Sequence, residues 1–249
     1  MAASCLAVAA PAKAEVWAAP AGCETFLTVQ FRECRISNYY RCAAEPEGHV
    51  WRADFDVEGL RLLTLTDAET VPLRQIDPRG GTDYQLDAGS VGLPSQSSLQ
   101  SERTSIVEYR MVDPAGLGEM SVGLRFRVTV PDRVPVTYSA VTIDGIELEE
   151  VAFNLTRGSV DGLVIQERSG TEYVQSDWRL VFSGPEQTTI PGNLSKHVQA
   201  DRSPVDFIFP GEPKFSSTMP IEDCELLLSQ ADIANSKPTF PSDLEGMMP

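Results

Sequence analysis

The chain has 249 residues, 42% of them hydrophobic, with 36 acidic against 20 basic side chains and a formal net charge of −16. A surface this negative repels phosphate backbones and anionic headgroups, so no nucleic-acid partner is expected. The length accommodates one large β domain with a substantial core, and a single domain over residues 15–233 is expected.

Residues 1–14 read as a signal peptide. The small apolar run that follows Met1 ends in Ala12-Lys13-Ala14, a signal-peptidase pattern, although no positive charge precedes it. A mature chain from Glu15 would be periplasmic or secreted, and 16 Arg against 4 Lys fits a GC-rich bacterial genome. No later apolar run reaches bilayer length, so no integral membrane segment is expected in the mature chain.

Cys5 falls in the leader, which leaves Cys23, Cys34, Cys42 and Cys224, an even set that suits an oxidising compartment. If residues 27–36 and 40–52 are hairpin arms turning at Ser37-Asn38-Tyr39, Cys34 faces Cys42 at disulfide range. Cys23 then pairs with Cys224. Lipidation at Cys23 is the alternative, but Pro20 stands where lipoprotein signals carry a large aliphatic residue. Gaps of eleven, eight and 182 residues between these cysteines do not supply the clustered spacing of a metal site, and no cofactor is expected.

The remaining elements read almost wholly as strands. Residues 50–57 and 60–71 flank Glu58-Gly59 as a pair, and residues 74–104 form a long Gly/Ser/Gln-rich loop opened by Asp77-Pro78-Arg79-Gly80-Gly81. Residues 120–130 alternate strictly, giving a strand with one wet face. Asp144-Gly145 between residues 141–143 and 146–148 is a two-residue hairpin signal, with Asp161-Gly162 and Ser169-Gly170 repeating the device. Residues 174–182 alternate again as the last arm, residues 184–220 cross irregularly, and Pro220 opens a helix over residues 221–233. The tail 234–249 has no periodicity and is expected to be disordered. The fold class is all-β: an antiparallel meander forming a β-sandwich or an open or closed barrel, with one short C-terminal helix.

Catalytic signatures are scarce. His49 and His197 are the only histidines and read as solvated, and no nucleophile elbow, zinc-protease, P-loop or dinucleotide motif occurs. Asp54, Asp56 and Glu58 alternate and are the candidate calcium ligands, against a plainer reading as a solvated acidic face countered by Arg52. Tyr39, Tyr40 and Trp51 are the candidate recognition patch at a hairpin tip, against a plainer reading as packing residues. Asn154-Leu155-Thr156 and Asn193-Leu194-Ser195 match the glycosylation pattern, relevant only to a eukaryotic source.

Three functions are compatible with this pattern. The first is an exported, non-catalytic binding or envelope-associated protein whose partner is another protein or an apolar ligand. The second is a carrier of a lipid or other apolar ligand in a β half-barrel, and the third a carboxylate-dependent hydrolase.

Overall fold

The computed structural model describes residues 16–86, 90, 104–112, 124–129, 139–159, 163–192 and 197–224. The expected leader (1–14), the expected turn at Asp161-Gly162, the Asn193 sequence pattern, residues 87–103 other than 90, and residues 225–249 with the expected tail lie outside these residues.

The strands among the described residues all pair antiparallel, as β-branched and aromatic alternation favours. The strands are β1 (Cys23–Phe31), β2 (Arg35–Cys42), β3 (Val50–Asp56), β4 (Gly59–Thr66), β5 (Pro72–Asp77), β6 (Thr82–Leu86) and β7 (Thr104–Val112). There follow β8 (Leu124–Thr129), β9 (Ser139–Ile143), β10 (Ile146–Ser159), β11 (Val164–Gln175), β12 (Leu180–Thr189), β13 (His197–Asp201) and β14 (Pro204–Ile208). They form one path, β13-β12-β11-β10-β8-β7-β6-β5-β4-β3-β2-β1-β14, with β9 paired to β10 off the path. Its two ends, β13 and β14, are consecutive in the chain and joined only by Arg202-Ser203. The sheet therefore curls until one strand, bent at Arg202, serves both edges.

The β9–β10 hairpin turns at Asp144-Gly145 as the sequence predicts, with φ of 50° and 76°. The β3–β4 hairpin forms as expected but turns one residue earlier, at Val57-Glu58, with Gly59 already in β4 opposite Asp56. Five expectations need correction. Residues 74–86 are not loop but a hairpin, since β5 runs to Asp77 and pairs across a tight turn with β6. The first hairpin turns at Arg32-Glu33-Cys34 and not at Ser37-Asn38-Tyr39, because Glu33 and Cys34 take the positive φ the turn needs, at 57° and 54°. Ser169-Gly170 lies inside β11, where a Cβ on Gly170 would stand 2.2 Å from the Pro185 carbonyl oxygen, so that glycine serves strand approach at a bulge. Residues 174–182 are two arms, since Ser176–Arg179 turns between β11 and β12; Leu180 and Phe182 share the core face with Tyr173, whereas Val174 pairs with Val181 on the opposite face. Residues 184–220 contain the rest of β12 with β13 and β14 before becoming irregular, and helical structure begins only at Cys224, the rest of the expected helix lying outside the described residues.

The core sits between β1–β3 and the β9–β12–β14 side. Phe182 is the hub: its ring lies 5.2 Å from Phe207, 5.8 Å from Tyr39 and 6.5 Å from Phe31, while Leu27, Val29, Val50, Leu148 and Leu180 fill the space around it. A second cluster, Ile36, Tyr40, Ala53 and Phe55, occupies the other face of β2 and β3 under Trp17.

Residues 215–224 run as a strap over the same outer face. Buried polar side chains of β1 and β2 satisfy its backbone, as buried polar groups must be. Ser216 N–H donates to Thr28 Oγ1, Asn38 Nδ2 donates to the Ser217 carbonyl, and Ile221 N–H donates to Gln30 Oε1. Among the described residues no helix is long and apolar enough to cross a membrane.

Two disulfides close the fold, Cys23–Cys42 and Cys34–Cys224. All four expected cysteines are bridged, but the pairing differs from the one the sequence suggested. With the hairpin turning at Cys34, the residue opposite Cys42 is Cys23. Cys34 is left on the turn, where its N–H donates to the Glu222 carbonyl at 2.8 Å and its sulfur meets the strap.

Candidate functional site

Antiparallel register sets one row of polar side chains on the inner face. Tyr39 pairs with Arg52 and Arg52 with Thr64; one step along, Ser37 pairs with Asp54. Since side chains alternate, Arg35, Ser37 and Tyr39 share the face of Arg52, Asp54 and Thr64. A register shift at Asp54/Phe55 leaves Arg61 as the extra residue of β4, beside this row. The row ends at a cleft of about 50 Å³ whose lining includes Arg35, Arg52, Asp54, Arg61, Ser183 and the corner residue Arg202.

The charges divide into paired and unpaired groups. Arg52 Nε lies 2.8 Å from Asp54 Oδ1, and Asp54 also accepts the Ser37 hydroxyl at 2.6 Å. Burial disfavours the Arg52 charge, but Asp54 beside it more than restores it and holds the guanidinium firmly protonated. Glu186, almost wholly buried, takes Arg168 on one carboxylate oxygen and Arg202 on the other. Arg202 also reaches Glu33 at 3.5 Å. By contrast, Arg35 and Arg61 have no ion pair or hydrogen bond among the described residues. Burial, with Arg202 and Arg61 adding repulsion, brings Arg35 down to about 10.

On this face the Thr64 hydroxyl lacks a hydrogen-bond partner among the described residues, and Arg202 Nε has only the long ion pair to Glu33. Burial pushes the Tyr39 hydroxyl well above its usual range, with the Arg52 charge opposing. Deeper in, burial pushes the Glu172 carboxyl up to about 7, against the pull of Arg168. The arrangement can hold an anion by charge and by guanidinium N–H groups.

Comparison with protein-family models, with curated proteins and with solved structures finds no match to this chain. The geometry alone therefore carries the functional reading.

The residues singled out in the sequence fall differently. Asp54 belongs to the cleft, whereas Asp56 and Glu58 sit at the β3–β4 turn, both on Arg79, at 2.6 Å and 3.1 Å. Asp54 is thus engaged by Arg52 and the other two carboxylates by Arg79, and among the described residues no group of three His, Cys, Asp or Glu side chains is placed to hold a metal ion. Tyr39 and Tyr40 are neighbours in β2 and point to opposite faces, both buried, with Tyr40 stacked on Trp51 at 6.3 Å. They do not form a tip patch, because the turn they were assigned to lies in mid-strand. His49 is partly enclosed beside Glu45, its Nδ1 4.0 Å from that carboxylate, and His197 opens β13. Arg35, Arg61 and Arg202 went unnoticed in the sequence; only the excess of Arg over Lys hinted at them, since strand register and the β13–β14 corner bring them together.

Proposed function

We propose that the chain works outside the cytosol, periplasmic or secreted, as a non-catalytic binding or envelope-associated protein that presents the arginine-lined cleft to its ligand. The observation that carries this reading is the Cys34–Cys224 bridge, whose first cysteine is the neighbour of Arg35 at the rim of the cleft. Such a bridge forms and persists in an oxidising compartment. The signal-like pattern of residues 1–14 supports the same address.

An apolar carrier is less well supported, because the described interior is filled by contacting rings of Phe31, Tyr39, Phe182 and Phe207. One observation favours a hydrolase: Glu172, raised to about 7 chiefly by burial, is also repelled by Glu186, the separation of protonation states that an acid/base pair uses. Glu186, however, is buried with both oxygens held by arginines, which denies it to a substrate or a water.

The test is thiol alkylation before lysis in the chain's own host, followed by fractionation. The expected result is recovery in the periplasmic or culture fraction with Cys23, Cys34, Cys42 and Cys224 all protected from alkylation. Recovery from the cytosol with all four alkylated would overturn the reading.

A further inference from the structure

We propose that the cleft binds a small divalent oxyanion of the phosphate or sulfate type, held by the guanidiniums of Arg35, Arg61 and Arg202. The proposal rests on the binding-protein reading above and names its ligand. In a chain of net charge −16, this one face gathers five guanidiniums, Arg35, Arg52, Arg61, Arg168 and Arg202, against the carboxylates of Asp54, Glu33 and Glu186. Glu172 is the fourth carboxyl nearby, and burial favours its neutral form. Two guanidiniums, Arg35 and Arg61, make no ion pair or hydrogen bond among the described residues; Glu33 and Asp54 act on Arg35, and Asp56 on Arg61, only at longer range.

Burial first, and then repulsion from Arg202 and Arg61, weaken the hold of Arg35 on its proton, with Glu33 and Asp54 opposing, so a bound anion would relieve a destabilised charge. A purely structural cluster would be neutralised from within, as Arg52 and Asp54 are. Arg202 Nε is buried and borders the same cleft, and its contact to Glu33, at 3.5 Å, is an ion pair without hydrogen-bond geometry, so an anion in the cleft would find a donor there. The cleft, at about 50 Å³, has room for one small anion or one to two waters and is far below the size of an organic-ligand pocket. Distant acidic groups oppose approach only weakly, since charges are screened over about 8 Å at physiological ionic strength. Guanidinium forks at contact distance are not.

Isothermal titration at constant ionic strength tests this, using inorganic phosphate, sulfate, acetate and chloride as probes on the oxidised protein. Phosphate and sulfate should bind at one site, with acetate and chloride weaker by about tenfold or more. Arg61→Gln, at an exposed position that leaves the fold intact, should weaken phosphate about tenfold or more, as should Arg35→Gln. Arg79→Gln, a surface arginine paired elsewhere, should leave binding unchanged. Glycerol 3-phosphate assigns the source: affinity equal to phosphate means a phosphate ester on a larger ligand, weaker affinity means the free ion. No saturable phosphate or sulfate binding in the millimolar range, or equal binding in Arg61→Gln, would overturn the proposal. An exported, fully bridged protein that binds neither anion overturns this inference alone; a cytosolic, reduced chain that binds phosphate overturns the extracytoplasmic reading alone.

Discussion

At the scale of single residues, the inner face is governed by which charges are desolvated and which are answered. Glu172 shows the sign of this. Its carboxyl has an ordinary value of 4.5 and is raised to about 7 by burial, with Arg168 and Arg52 lowering it and Glu186 raising it. Between those values the unfolded chain releases a proton that the folded chain keeps, so stability falls as pH rises from about 4.5 to about 7. Because Glu172 keeps some contact with solvent, the loss is bounded at about 1 to 3 kcal/mol. Urea denaturation across that range should show the decline and should show it flattened in Glu172→Gln; an unchanged slope would mean that Glu172 is ionised and solvated. Gly170 is the steric counterpart. With the Pro185 oxygen 2.2 Å from any added Cβ, Gly170→Ala must push β11 off β12 and is expected to lower unfolding free energy by about 1 to 3 kcal/mol.

Among elements, β1, β2 and the strap make one unit. The β1–β2 turn places Glu33 and Cys34 at positive φ, a conformation costing on the order of 1 kcal/mol or more for non-glycine residues. The strap holds it there through the Cys34 N–H bond to Glu222 and the bridge to Cys224. That bridge spans 190 residues and the Cys23–Cys42 bridge 19, worth about 5 and about 3 kcal/mol in the chain-entropy account. Replacing Cys34 and Cys224 with serine should therefore lower Tm more than replacing Cys23 and Cys42. The reverse order in a thermal melt would mean that the strap is held by its hydrogen bonds alone.

What the sequence made legible follows the same line. Asp144-Gly145 announced its hairpin because the turn residues themselves carry the required φ. The β1–β2 turn was invisible because Glu33 and Cys34 have no such preference and are forced by a residue 190 positions away. Ser169-Gly170 misled for the opposite reason: glycine met a demand from the neighbouring strand, which local chemistry cannot show. Asp54 was seen but placed with Asp56 and Glu58, since alternation alone does not reveal the register shift that separates them.

For the whole molecule, a sheet whose two edges are one bent strand puts Arg202 at the corner where the β2–β4 face meets β12. Phe182 supports this closure from inside, and Phe182→Ala should cost about 3 to 5 kcal/mol, read as a lowered urea midpoint. The cleft exists only if the β1–β2 register is the one described, because a one-residue slip would send Arg35, Ser37 and Tyr39 to the strap side. Non-reducing peptide mapping of the purified chain tests that register directly. Cys23 linked to Cys42 and Cys34 linked to Cys224 is the result the fold predicts. Cys34 linked to Cys42 would contradict it, since that pairing moves the turn to residues 37–39 and dismantles the arginine row.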